Sequence, residues 1–240
     1  MKFKKKNFFK KIFIDFKKSK KIPKIDMHVH TNWTDGKHTV KQMVKAANKK
    51  NLHTILFSEH SRASSKGWFS KFSKEVKKNR SYKQSGSCNA LIGTEVKIKD
   101  FDGTLDLNQN IKKKCDLIMA SVHRFPGEKG NIFQNKFKFT KNEAIELEFK
   151  LSMSAIKNSK FDILGHPFGM SIKRFKATPK WHLFKRLIKE CKRNDKIFEI
   201  NFHYHKNYRK LLDECLRSKT LFSLGSNAHR MNELGKITKI

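Results

Sequence analysis

The sequence predicts an α/β fold, a barrel of parallel strands alternating with helices, and three observations predict it. Seven short apolar runs carry a histidine, an acidic residue or both at their ends: KIDMHVH (24–30), TILFSEH (54–60), ALIGTEV (90–96), LIMASVH (117–123), DILGHPF (162–168), IFEINFH (197–203) and LFSLGSNAH (221–229). Stretches with helical periodicity lie between them, and strands alternating with helical patterns argue for βα units and a parallel sheet. The chain has 240 residues, about what one such barrel needs. Seven units are too few for the standard eight-stranded barrel. The expectation is a distorted seven-stranded (βα)7 barrel, TIM-like, with its active site at the C-terminal ends of the strands.

Taken in order, residues 1–23 form a basic amphipathic segment. Phe8, Phe9, Ile12, Phe13 and Phe16 fall on one helical face, with Lys10, Lys11, Lys17 and Lys18 mostly elsewhere. Packing the phenylalanines against the barrel is preferred to resting them on an anionic membrane surface. Pro23 separates the segment from the first strand. A helix follows over 39–51, where Val40, Met43, Val44 and Ala47 make one apolar face. Strand 54–60 leads into a serine- and lysine-rich stretch, 61–87, expected as loop and helix over the mouth. Strands 90–98 and 117–123 are joined by a turn-rich segment around Asp102 and Gly103. A long loop, 124–140, with Pro126, Gly127 and Gly130, precedes a helix over 141–158. Strand 161–166, a helix over 179–193 with Pro179 in its first turn, strand 197–203, a helix over 207–217 and strand 220–226 complete the pattern. Residues 24–240 show no internal repeat and no low-complexity linker, so they read as one barrel domain.

Composition narrows the function classes. Lys and Arg number 55 against 21 Asp and Glu, a net charge of +34. Such a field attracts phosphate-bearing partners, acidic membrane surfaces or nucleic acid. The lysines are spread along the chain rather than gathered in a stripe, so compositional bias is the preferred account of the bulk charge. Cys88, Cys115, Cys191 and Cys215 form no C-x-x-C pair and none sits beside a histidine motif. That argues against a thiolate zinc site and a secreted disulfide scaffold, and for free thiols in a reducing cytosol. No run approaches ~18 consecutive apolar residues, and lysines interrupt the N-terminal apolar part where a signal peptide needs a continuous core. The expected location is cytoplasmic, with peripheral membrane contact through the N-terminal segment as the alternative use of that segment.

The strand ends place His28, His30, Asp35, Glu59, His60, Glu95, His123, His166, His203, Asn227 and His229 at one mouth. Neutral imidazoles and carboxylates are what borderline divalent metals prefer. His28 and His30 are two apart, so on a strand both face one side. Glu95 is one carboxylate among several histidines, and its two oxygens could bridge two ions. Pro167 restricts the backbone of His166. A lone buried histidine is ordinarily a satisfied core residue; a set gathered at successive strand ends is not explained that way.

These residues carry a family resemblance. His28-Val-His30-Thr-Asn-Trp-Thr-Asp35-Gly36 resembles the H-x-H-x-x-x-S-D-G motif of the PHP (polymerase and histidinol phosphatase) family. Ser58-Glu59-His60 resembles its T-D-H motif. Gly93-Thr94-Glu95, Ser121-Val-His123, Gly165-His166-Pro167 and Gly225-Ser226-Asn227-Ala228-His229 resemble the later ones. The resemblance implies the same barrel with two or three divalent ions, zinc, manganese or iron. It implies that His28, His30, Glu95 and Asn227 hold one ion, Glu95, His123 and His166 a second, and Asp35, His60 and His229 a third. Two positions depart from the motifs. Glu59 stands where aspartate is usual. Asn227 stands where a ligating aspartate is usual, and offers a carbonyl oxygen but no charge, which weakens the first ion.

The function so implied is hydrolysis of a small-molecule phosphate monoester by a metal-activated hydroxide. The alternatives are a nuclease acting on nucleic-acid ends and a catalytically impaired metal-binding domain. Glu95 and His123 carry the chemistry. Arg124, directly after His123, is the first choice for a phosphate clamp, with Lys173 and Arg174 as further candidates. Water or a nearby acid, His203 or His205, protonates the leaving group. Asp26 is expected to orient a ligand imidazole, and Glu199 and Asn201 to support the mouth.

Overall fold

Each apolar run can satisfy its backbone groups only by pairing, and pairing in chain order is what the structure shows. It is a computed structural model that describes residues 3–80, 87–128 and 139–236. Part of the 61–87 stretch, and Gly130 in the expected loop, lie outside the described residues. Among the described residues seven parallel strands form one sheet in the order β1 (Ile25–Val29), β2 (Thr54–Ser61), β3 (Asn89–Lys97), β4 (Leu117–Ser121), β5 (Ile163–Leu164), β6 (Ile197–Asn201) and β7 (Phe222–Gly225). The sheet curls into a nearly closed barrel. At its mouth the His30 N–H donates to the Ala228 carbonyl at 2.9 Å and the Ala228 N–H to the His28 carbonyl at 3.1 Å, so the residues after β7 bridge to the end of β1.

The helices are α1 (Lys5–Ser19), α2 (Val40–Lys49), α3 (Trp68–Asn79), α4 (Gln109–Lys112), α5 (Lys141–Asn158), α6 (Gly169–Phe175), α7 (Trp181–Arg193) and α8 (Tyr208–Arg217). Thr39 with Gln42 and Thr140 with Glu143 form capping boxes that start α2 and α5, each contributing about 1 kcal/mol. Pro179 does not enter the first turn of α7. It stands ahead of the extended cap residue Lys180, and the helix begins at Trp181. The short helices α4 and α6 have no counterpart in the sequence expectation.

Several strands stop sooner than the sequence pattern suggests. After β5, β6 and β7 the backbone turns away from the sheet, and His166 (φ 25°) and Asn227 (φ 54°) adopt left-handed conformations. The His166 N–H is taken by the Glu199 carboxylate instead of a strand partner. The Asn201 carbonyl accepts from Tyr204 and His205 in a turn. His166, His203 and Asn227 therefore stand on loops just beyond the strand ends.

Helix α1 uses its phenylalanine face on the barrel. Phe9, Ile12 and Phe16 are buried, Phe16 meets Phe222 of β7 edge-on with ring centroids 5.5 Å apart, and Lys5 pairs with Asp162 at the start of β5. Among the described residues no helix is long and apolar enough to cross a membrane. Replacing Phe16 by Ala should lower unfolding free energy by about 3–5 kcal/mol, the range for deleting a buried ring. Ile14→Ala, at a position 49% exposed on the same helix, should cost under about 0.5 kcal/mol. Urea denaturation of both variants checks this; equal small losses would show that the phenylalanine face is not packed.

Candidate metal centre

The mouth is organised about one carboxylate. Glu95 sits near the end of β3, and the parallel register sets it beside His60 of β2. Its Oε1 lies 2.9 Å from His166 Nε2, 3.0 Å from His123 Nε2 and 2.6 Å from the Ser121 hydroxyl, which donates to it. Its Oε2 lies 3.2 Å from His60 Nδ1, 3.4 Å from His28 Nε2 and 3.8 Å from His30 Nε2. The two oxygens thus face different sets of imidazoles. Burial opposes the Glu95 charge, yet His123 and His28 hold its pKa well below the usual carboxylate range.

A second cluster forms around Asp35, on the loop after β1. His229 Nε2 lies 3.2 Å and His60 Nε2 3.4 Å from Asp35 Oδ2, with His30 Nδ1 3.8 Å from Oδ1. Despite partial burial, hydrogen bonds from His229 and His60 push the Asp35 pKa far down. The His30 ring lies between His60 and His229, 4.5 Å from each centroid.

Three donor sets have all their ligand-type atoms within 4.8 Å of one another: His30, Asp35, His60 and His229; His28, Glu95 and His166; His60, Glu95 and His123. All the histidines and carboxylates expected from sequence as ligands are therefore brought together. Their grouping differs from the one the resemblance implies. His30 sides with Asp35, His166 with His28, and His60 belongs to two sets. Asn227 lines the same cavity, its amide N–H donating to the Tyr204 hydroxyl at 3.2 Å.

The donors fit divalent metal. His28 Nε2, both ring nitrogens of His30 and His166 Nδ1 are buried without a hydrogen-bond partner. An unpaired buried polar atom costs about 1–3 kcal/mol, and a lone pair aimed at a cation removes that cost. Burial and the neighbouring His60 and His28 push the His30 pKa well below its usual value, which leaves it neutral as a metal ligand must be.

The support for His28 comes from a different residue than the sequence suggests. Asp26 does not touch the imidazole. Its carboxylate accepts from Ser226 N (2.9 Å), Ser226 Oγ (2.5 Å), Gly235 N (2.8 Å) and the His28 backbone N–H (3.4 Å), tying β1 to the residues after β7. Glu199 of β6 holds the ring instead, with Oε1 2.8 Å from His28 Nδ1 and 2.9 Å from Asn201 Nδ2. Burial disfavours the His28 cation, but Glu199 and Glu95 raise its pKa well above the usual value. Gly225 makes room for this contact. A Cβ there would meet His28 Cβ at 2.6 Å and collide with the Glu199 carboxylate. Glu59 joins none of the three sets and anchors the Asp35 loop through Thr31 N (2.8 Å), Thr31 Oγ1 (2.6 Å) and Thr34 Oγ1.

The centre opens into a cavity of about 920 Å³ that also exposes Arg62, Lys97, Arg124, Lys173, His203 and Tyr204. Arg174 reaches it too, but is committed to Glu128, with contacts of 2.7 and 3.0 Å, so it is not a free phosphate clamp. His205 is not a rim residue. It is buried, accepts from the Asn201 N–H at 3.0 Å and donates to the Pro167 carbonyl at 2.8 Å, and burial pushes it down to about 4. Tyr204, not singled out from sequence, lies over the His166 ring at 4.7 Å. Its position after the His203 strand end is the one signal that could have found it.

Fold and site together define a class, the βα barrels with clustered metal-type ligands at the mouth. The PHP domain model matches residues 26–203, and the chain belongs to that family. Over 159 residues it is 24% identical to the DNA polymerase/3'-5' exonuclease PolX of Bacillus subtilis, covering 62% of this chain and 24% of that protein. Over 147 residues it is 29% identical to a probable phosphatase of Thermoanaerobacter sp. (strain X514), covering 60% of this chain and 53% of the relative. The chain thus spans about half the length of that phosphatase and a quarter of PolX. In fold it resembles a candidate histidinol phosphatase, hisK, from Listeria monocytogenes, with a TM-score of 0.69 at 18% identity over 88% of this chain and 97% of the other; that likeness concerns the fold alone.

Glu148 of α5 sets the position of α6, which follows His166 and carries Lys173. Wholly buried, it accepts from Ser171 N (2.7 Å), Ser171 Oγ (2.5 Å) and Met170 N (3.2 Å), filling the cap that Phe168 cannot supply. Burial pushes its pKa from 4.5 up to about 7. A carboxyl raised in the folded state contributes stability that is complete below about pH 4.5 and is lost as pH rises through about 7. Glu148→Gln should therefore become more stable relative to the parent between about pH 5 and pH 8. Denaturation across that range checks it; parallel stability curves would refute it.

Proposed function

We propose that this chain is a metal-dependent phosphoesterase that hydrolyses a small-molecule phosphate monoester. The observation that carries the reading is the Glu95 carboxylate, buried at the mouth with imidazoles of five histidines within 3.8 Å of its two oxygens. His28, His30, Asp35, His60, Glu95, His123, His166, Asn227 and His229 would hold two or three ions of zinc, manganese or iron. When bound, these ions supply a nucleophile at neutral pH and offset charge on the phosphoryl oxygens.

The chain's own groups then divide the work. Glu199 accepts the Nδ1–H of His28 and leaves the Nε2 lone pair toward Glu95. The Asn227 backbone carbonyl accepts the Nδ1–H of His229 at 2.9 Å and leaves its Nε2 toward Asp35. Arg124 is half-buried at the end of β4 and supplies donors for the phosphoryl oxygens. In the reaction, water oxygen joins phosphorus, the ester P–O bond breaks and a proton goes to the leaving alkoxide. His203 stands at the rim, its pKa lowered by burial and by Lys173, so it relays that proton from solvent in its neutral form.

Hydrolysis at nucleic-acid ends is the second reading, favoured by the match to PolX and the cationic rim. A panel of aryl phosphates, sugar phosphates, nucleotides and oligonucleotides, run with zinc, manganese and iron, separates the two. Failure on every ester with every metal would defeat both. Glu95→Gln should lose activity by about a hundredfold or more together with bound metal. Glu199→Gln should keep the fold and weaken metal affinity by about 10–100-fold, read by chelator competition; unchanged affinity would remove Glu199 from the support of the centre.

A further inference from the structure

Four consecutive strand ends each place a cation on the cavity wall. Arg62 follows β2, Lys97 ends β3, Arg124 follows β4 and Lys173 lies on α6 after β5. None of the four makes a side-chain hydrogen bond or ion pair with a described residue, in contrast to Arg174 with Glu128 and Arg80 with Asp116. The other side of the cavity, from β6, β7 and β1, presents His203, Tyr204, Asn227, His229 and Asp35, and among the described residues lining it there is no Lys or Arg. The cations thus form an arc on one side. Beside them stands Asp106, which makes no ion pair among the described residues and whose carboxylate accepts the Ala63 N–H at 2.8 Å.

One phosphoryl group at the centre, clamped by Arg124, leaves three cations, Arg62, Lys97 and Lys173, against the single carboxylate of Asp106. Arg62 and Lys173 are exposed and Lys97 and Arg124 half-buried, and like charges gathered along one wall of a cleft focus its field on an anionic ligand. A cavity of about 920 Å³ also holds far more than one phosphate, since drug-sized ligands fill pockets of about 300–1,000 Å³. We infer that the substrate is a small molecule carrying two phosphate groups, one at the Glu95 centre and the other on the arc of Arg62 and Lys97. This rests on the phosphoesterase reading. The short, one-sided arc favours a compact ligand over a strand, which needs a continuous basic path with stacking aromatics.

The test pairs ω-hydroxyalkyl monophosphates with alkanediol bisphosphates over a ladder of chain lengths, and measures binding of the matching mono- and bisphosphonates by calorimetry. The expected result is an optimal length at which the metal-loaded protein prefers the bisphosphate in kcat/KM, and the bisphosphonate in Kd, by about tenfold or more. Arg62→Ala and Lys97→Ala should lower that preference, reducing bisphosphate values more than monophosphate values. Equal values for the two series, or a preference unmoved by both variants, overturns the inference. So does a thymidine oligonucleotide that binds more tightly than every bisphosphonate, with a gain that grows with length. Hydrolysis of neither series defeats the phosphoesterase reading instead, and the phosphonate titrations still decide whether the arc takes a second phosphate.

Discussion

The mouth of this barrel depends on one buried carboxylate surrounded by imidazoles. Glu95 is 2% exposed, and an ionised carboxylate at that depth is costly unless cations or strong donors face it. Ser121 supplies one neutral donor. The remaining neighbours are histidines, which can compensate the charge in two ways: by protonation, or by sharing a metal ion with it. Protonating the whole group would crowd several cations within about 5 Å of one another, and burial already holds His30 and His123 below their usual pKa. Shared metal leaves the imidazoles neutral and uses the lone pairs that otherwise have no partner.

Everything nearby serves to hold that arrangement. Strand register puts His60 beside Glu95, and the bridge between His30 and Ala228 brings the residues after β7 to the end of β1. Glu199 reaches two elements at once, taking the His28 ring through one oxygen and the His166 backbone through the other. The left-handed backbone at His166 follows from this. An extended residue before Pro167 would continue β5, whereas the hydrogen bond to Glu199 and the short helix α6 require the chain to turn.

The barrel and the ligand-type residues were legible because both lie in local pattern. Strand runs ending in histidine or acid mark where the chain leaves the sheet, and 141–158 even matches α5 residue for residue. Contacts set by tertiary packing were not legible. Asp26 lies two residues from His28 and so on the same side of β1, yet Ser226 and Gly235, brought there only by the chain after β7, take its carboxylate instead of the ring. Glu199 is distant in sequence, and only closure of the barrel brings it to Nδ1. Arg174 and Lys173 are neighbours on α6, but Glu128 faces one and not the other. His205 resembles His203 in sequence and differs from it in burial, because its ring fills the turn between Asn201 and Pro167.

Asn227 ties the electrostatics of the centre to the rim. The clustered ligand-type residues comprise two carboxylates, Asp35 and Glu95, and six imidazoles. An aspartate at position 227 would add a third negative charge; the amide adds none and bonds to a neutral phenol. With divalent ions in place, the centre of this chain is therefore more positive than one with three carboxylates. A more positive centre holds its last ion less firmly and attracts a phosphate dianion more strongly. Arg62, Lys97, Arg124 and Lys173, which pair with no acid among the described residues, act in the same direction. Diffuse surface lysines are screened within about 8–10 Å at ordinary salt, so the chain's net charge of +34 says little about the substrate. The few charges gathered along the walls of the cleft focus the field where a ligand sits.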